Sequence, residues 1–137
     1  MTTPSIQNDF TPASVGIDIG KDVFHLVGFD LDGNIVLRRK IRRSALVNEF
    51  EKLPPCIIGM EACLSAHFVS RTLRKLGFEP RIIPAIYVKP YLKGQKNDYN
   101  DAEAIAEAAL RPNLTFVQEK TQDQLDLQAL YRVRSRL

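Results

Sequence analysis

Cysteine and histidine are scarce in this chain, and long apolar runs are missing from it. Each shortage removes a class of protein. Of 137 residues, two are cysteine and two are histidine. Cys56 and Cys63 fit neither a CxxC pair nor a zinc spacing, so a disulfide framework and a structural zinc site are set aside. Both read as small core residues in a reducing compartment. His25 and His67 have no partner at metal or triad spacing and read as ordinary strand and helix-surface residues. Ser65 and Ser70 lack a base in any recognisable arrangement, which argues against a serine nucleophile within these residues. No apolar run approaches the ~20 residues of a bilayer span, and the start MTTPSIQNDF lacks the charged and apolar regions of a secretory signal. The expected compartment is the cytoplasm, with no membrane partner. Internal repeats and low-complexity tracts are likewise absent.

What is present is an ordinary globular composition, 45% apolar and 26% charged, in a length that suits one domain with a real core. Net charge is only +3, but it is unevenly spread. Arg38, Arg39, Lys40, Arg42 and Arg43 fall within six positions, and Lys89, Lys93 and Lys96 form a second group. Alone, such runs read as solvated faces. Beside a carboxylate site they point to a polyanion, nucleic acid above all. Tyr87, Tyr91 and Tyr99 interleave with the second group and read as aromatic rings around a small core, with base stacking as the alternative.

The most unusual stretch is Val15 to Asp22, V-G-I-D-I-G-K-D. Val15, Ile17 and Ile19 alternate with Gly16, Asp18 and Gly20, so a strand here buries a β-branched face and holds Asp18 on the other. Glycine weakens a strand and marks a place where a ligand or another backbone comes close. An aspartate inside an apolar strand must be paired, hydrogen-bonded or metal-bound.

Residues 1–13 read as a loose lead-in. After the first strand come Val23 to Leu31 and Ile35 to Ile41, joined by an Asp32-Gly33 hairpin signal. Ser44 offers an N-cap to a short helix that Pro54-Pro55 ends. Cys56 to Met60 reads as a strand buried on both faces, with Glu61 at its C-terminal end. A helix follows to about Leu76, with Ala66, Val69, Leu73 and Leu76 inside and His67, Ser70, Arg71, Arg74 and Lys75 outside. Arg81 to Ile83 is another buried strand, which predicts a parallel pair with a right-handed crossover. A short helix within 85–94, a helix from about Asp98 to Arg111, an extended stretch at 113–117 and a helix from about Gln122 complete the pattern. That last helix, with Leu127, Leu130, Val133 and Leu137 on one stripe, reaches position 137 without a cap, which predicts a longer protein. The order βββ-α-β-α-β-α predicts a mixed five-stranded sheet with flanking helices, the ribonuclease-H-like layout. Its domain would cover residues 14–120, and residues 121–137 would begin a long C-terminal helix.

This layout brings acids to one end of the sheet: Asp18 in the first strand, Glu61 closing its expected parallel neighbour, and Asp98 with Asp101 at a helix start. The i, i+3 spacing of Asp98 and Asp101 puts both on one helical face. Each has a plain reading as a cap or a first-turn acid. Clustered, they would repel one another unless a hard cation such as Mg²⁺ were bound. A pair of such ions could polarise a phosphate and activate a hydroxyl.

V-G-I-D-I-G-K-D, G-M-E-A, K-N-D-Y-N-D-A-E-A-I-A-E-A and D-L-Q-A-L-Y-R-V-R-S-R-L together resemble the N-terminal half of the DEDD transposases, insertion-sequence recombinases related to Piv-type DNA invertases. The resemblance spans residues 14–137 and implies a RuvC-like catalytic domain. Its four acids map onto Asp18, Glu61, Asp98 and Asp101, as catalytic residues and as ligands of Mg²⁺ or Mn²⁺, two ions in all. It implies a further C-terminal domain with a catalytic serine, so that this segment would be inactive alone, and a homo-oligomeric full-length protein. DNA would be the substrate, held by Lys21, Arg38, Arg39, Lys40, Arg42, Arg43, Lys93 and Lys96, and an element-encoded guide RNA joins the partners implied. Two other readings stay open. An actin-like ATPase or sugar-kinase domain shares the core and a D-I-G-K loop but needs a second glycine-rich loop. A non-catalytic nucleic-acid-binding module would use the acids only as caps.

Overall fold

The computed structural model of the chain describes residues 11–92, 99–111 and 113–136. Three antiparallel strands open it: β1 (Ser14–Ile19), β2 (Val23–Phe29) and β3 (Ile35–Arg42). Helix α1 (Leu46–Glu51) leads to β4 (Ile57–Glu61), and α2 (Leu64–Lys75) crosses over to β5 (Glu79–Ile83). Both β1–β4 and β4–β5 pair in parallel, giving the order β3-β2-β1-β4-β5. Then come α3 (Ala85–Val88), α4 (Asn100–Ala108) and α5 (Gln122–Arg136). The meander, the parallel trio and the helices agree with the sequence pattern. Among the described residues no helix is long and apolar enough to cross a membrane.

Period-two patterning divides the sheet into two dry faces. On one, Val15, Ile17, Phe24, Leu26, Ile58, Met60 and Ile82 pack under Leu46 and Phe50 of α1 and Ala66, Val69 and Leu73 of α2. Each of the larger side chains contributes about 1.5–3 kcal/mol by leaving water. On the other, Val27, Phe29 and Ile83 meet the alanine-rich face of α4. Here the glycines act. A Cβ on Gly16 would stand 2.1 Å from the Ala102 carbonyl oxygen, and one on Gly59 would stand 2.7 Å from the Ala109 methyl. Gly16 and Gly59 are neighbours in the β1–β4 register, so together they make a shallow channel in which α4 lies. The backbone brought close by Gly16 is that helix.

Several local expectations differ from what forms. Ser44 falls in a 3-10 turn (Arg43–Ala45) and gives no side-chain cap; α1 starts at Leu46. Strand β5 begins two residues early, at Glu79, and includes Pro80, which an edge strand tolerates because the lost donor faces outward. His67 and Ser70 are buried rather than on the helix surface, because residues 117–121 lie across α2. Val117 donates its N–H to the Ile82 carbonyl, and His67 Nδ1 accepts from the Lys120 N–H at 3.1 Å. Burial, Lys120 and Arg71 hold the His67 pKa below the ordinary imidazole value, which keeps Nδ1 free to accept. Ser70 and Arg74 both bond the Glu119 carboxylate. Thr121 and Gln124 then exchange backbone-to-side-chain hydrogen bonds as a capping box that starts α5. Beyond it Leu125 is buried, whereas Leu127, Leu130 and Tyr131 are exposed. Cys56 is half-buried, with its thiol pushed up to about 11 by burial, and Cys63 is exposed at the N-terminus of α2 instead of in the core.

Candidate metal and nucleic-acid site

Asp18 lies on the face of β1 opposite the Val15–Ile17 core, the face that α4 covers. The parallel register pairs Gly16 with Gly59 and Ile17 with Met60, so one further step brings Asp18 alongside Glu61. Neighbouring strands stand about 4.8 Å apart. Asp101 is in the first turn of α4, the helix seated on the two glycines. Three elements distant in sequence thus direct acids to the C-terminal edge of the parallel strands.

The electrostatics show that these acids feel one another. Asp18 is half-buried, and its pKa is raised first by desolvation and then by Asp101, with His25 acting in the opposite direction. Glu61 is raised by desolvation, then by Asp101 and by Asp18, and is eased by Lys89. Neighbouring negative charge that raises the carboxyls of Asp18 and Glu61 is the kind of repulsion a bound cation could offset. The donors are all oxygen, which suits a hard divalent ion. Among the described residues no three His, Cys, Asp or Glu side chains already stand as a metal-holding group. Asp98 lies outside the described residues, as do Lys93 and Lys96.

Cross-strand pairing extends the site sideways. Asp18 pairs with His25, and His25 with Lys40, so Glu61, Asp18, His25 and Lys40 form one row across four strands. Arg38 pairs with Val27 and Arg42 with Val23, which puts both on the same face as Lys40. These three cations and Lys21 are exposed. Arg39 and Arg43 differ. Arg39 points to the other face and bonds Glu49 at 3.0 Å, lowering that carboxyl's pKa. Arg43 bonds the Gly20 and Lys21 carbonyls and the Ser65 hydroxyl, and lies over the Phe24 ring at 5.2 Å. It fastens the β1–β2 turn to the start of α2.

That turn also bears on the ATPase reading. The Gly20 N–H donates to the Val23 carbonyl at 3.1 Å, so it is not free to cradle a phosphate. Sequence reasoning did not assign Lys89 or His25 to the site. Lys89 follows β5 at the same sheet edge, and the crossover rule alone could have brought it there. His25 carries no such signal, since it joins the site only through the β1–β2 register.

Comparison with known proteins gives the family and the fold. A family model described as a transposase, DEDD_Tnp_IS110, matches residues 15–137. A probable family 20 transposase of Pseudomonas aeruginosa is 47% identical over 123 residues, covering 90% of this chain and 36% of that protein. The transposase for insertion sequence element IS1328 of Yersinia enterocolitica is 43% identical, over 90% of this chain and 37% of that one. That for IS1111A of Coxiella burnetii is 45% identical, over 90% and 34%. The chain therefore spans about a third of the length of the curated relatives it matches. Among solved structures, Thermus thermophilus RuvC in complex with a Holliday junction substrate superposes with TM-score 0.59 at 11% identity, over 76% of this chain and 98% of that one. A second Thermus thermophilus RuvC structure gives 0.56 at 12% identity, over 76% and 99%.

Proposed function

Since the chain belongs to the IS110-type DEDD transposases and carries their RuvC-like domain, we propose that it is the metal-dependent catalytic half of a DNA recombinase. The observation that carries this reading is the convergence of Asp18, Glu61 and Asp101 on one sheet edge, where Asp101 raises the pKa of both Asp18 and Glu61. These carboxylates, with Asp98 as the fourth, would hold Mg²⁺ or Mn²⁺, two ions in the full set. The cations supply charge stabilisation at a phosphodiester and an activated hydroxyl nucleophile when bound. Asp18, the most enclosed of the three and rooted in a central strand, would be the shared ligand.

The chain's own cations do the holding. Arg38, Lys40 and Arg42 run along the same face as Asp18 and would fix a DNA backbone leading into the carboxylates, with Lys21, Lys93 and Lys96 completing the contact surface. Lys89 beside Glu61 is suited to the phosphate nearest the acids. The solved RuvC was captured on a Holliday junction, which makes four-way DNA the first substrate to try. Strand exchange is assigned to a protein of the relatives' length, acting as a homo-oligomer and, in this reading, directed by an element-encoded RNA.

The test is Asp18→Asn in the full-length enzyme. Recombination should fall to background, and calorimetry should show loss of Mn²⁺ binding, while circular dichroism and thermal stability stay at or above the parent's. Full activity of Asp18→Asn would end the reading. Absence of any cation binding by the parent would favour a non-catalytic nucleic-acid module.

A further inference from the structure

His25 is the one residue of the Glu61–Asp18–His25–Lys40 row that is neither an acid nor an exposed cation. It is directly opposite Asp18 in the antiparallel register, so the two side chains rise from the same face. Its ring meets the Tyr99 ring edge-to-face, with centroids 5.3 Å apart and planes at 88°. Tyr99 immediately precedes α4, which delivers Asp101. The imidazole is therefore wedged between the strand that bears one acid and the helix that bears another. Among the described residues, its Nε2 is the buried side-chain nitrogen or oxygen without a hydrogen-bond partner.

An unmet buried polar atom costs about 1–3 kcal/mol. Phenylalanine would fill the same wedge and meet Tyr99 equally well without that cost, so packing alone does not account for a histidine here. A group able to use the nitrogen is the Asp18 carboxylate, opposite His25 in the register and electrostatically coupled to it. Carboxylates that hold metal ions are themselves oriented by outer hydrogen bonds, and loss of such a partner typically weakens metal affinity or activity 10- to 100-fold.

We propose that His25 is a positioning residue of the metal site: its Nε2–H donates to the Asp18 carboxylate when the acids draw together around a cation, fixing which Asp18 oxygen faces the ion. The inference rests on the metal-dependent reading above. The Tyr99 ring contact keeps the imidazole within reach of Asp18.

The experiment compares the 137-residue chain and its His25→Phe, His25→Gln and Asp18→Asn variants by calorimetric titration with Mn²⁺ and by thermal melting without metal. His25→Phe should melt at or above the parent temperature, since the unmet nitrogen is gone, yet bind Mn²⁺ 10- to 100-fold more weakly. His25→Gln, which restores an N–H donor on a flexible stem, should recover most of that affinity. Equal Mn²⁺ affinity in parent and His25→Phe overturns the inference, as does a Gln variant no better than Phe. If Asp18→Asn binds Mn²⁺ as the parent does, the metal site itself falls, and that outcome is distinct from failure at His25 alone.

Discussion

Asp18, Glu61 and Asp101 place like charge at one corner of the sheet, and in the metal-free chain this costs stability. The raised pKa values of Asp18 and Glu61 give the sign. An acid whose pKa is higher folded than unfolded binds protons more readily in the fold. Its stabilising share is therefore complete below the ordinary value and disappears as the pH rises through the raised one. A divalent cation needs the same carboxyls ionised, so it acts where the metal-free fold is weakest. Thermal melting with and without MgCl₂ should show a larger gain at pH 8 than at pH 5, approaching about 2.7 kcal/mol when the ion is at a hundred times its Kd. An equal gain at both values would mean that Mg²⁺ acts elsewhere. Asp18 was legible from sequence because a carboxylate between β-branched neighbours needs a partner or an ion to offset its burial. Glu61 was legible because a buried parallel strand ends on it. His25 was not, since its place beside Asp18 depends on a two-strand register that no local pattern encodes, and Lys89 was read with the surface lysines rather than with Glu61.

At the scale of elements, the site depends on how closely α4 approaches the sheet. Gly16 and Gly59 lie side by side in β1 and β4, and the small residues Ala102, Ala106 and Ala109 of the helix region fit over them. A methyl group at position 16 would meet the Ala102 carbonyl oxygen and the Ala106 nitrogen, both backbone atoms that can yield only if the helix lifts. Gly16→Ala should therefore cost upward of about 2 kcal/mol in denaturant unfolding and weaken Mn²⁺ binding, because Asp101 moves away with its helix. Ala62→Gly, at an exposed position just past β4, is the control and should leave metal binding alone. Unchanged affinity in Gly16→Ala would show that α4 does not set the position of Asp101. The glycines in V-G-I-D-I-G were legible as a point of close approach, but what approaches was not. That needs the crossover helices and the chain beyond β5 to be laid out in space. The strap at 117–121 was opaque for the same reason. His67, Ser70, Arg71 and Arg74 read as an outer helix face until Glu119 and Lys120 return across it from 45 to 53 positions away.

For the whole molecule, a net charge of +3 conceals a division of labour among basic residues that their crowding in sequence hides. Strand alternation sends Arg38, Lys40 and Arg42 to the Asp18 face, whereas Arg39 turns to Glu49 and Arg43 braces the β1–β2 turn. If DNA runs along that face, only the first set releases counterions from its phosphates. Each phosphate contact contributes about 0.9 to the slope of log K against log salt concentration, so Arg38→Ala, Lys40→Ala and Arg42→Ala together should lower the slope by about 2.7. Fluorescence anisotropy of a labelled four-way junction, titrated with the chain across a salt series, measures this directly. Arg39→Ala should leave the slope unchanged, losing only its surface ion pair with Glu49. Arg43→Ala should lower thermal stability, since three hydrogen bonds and a cation–ring contact go with it, again without moving the slope. Equal slope changes for Arg39→Ala and Lys40→Ala would mean that the basic stretch acts as undirected charge, and the DNA path along β3 would have to be abandoned.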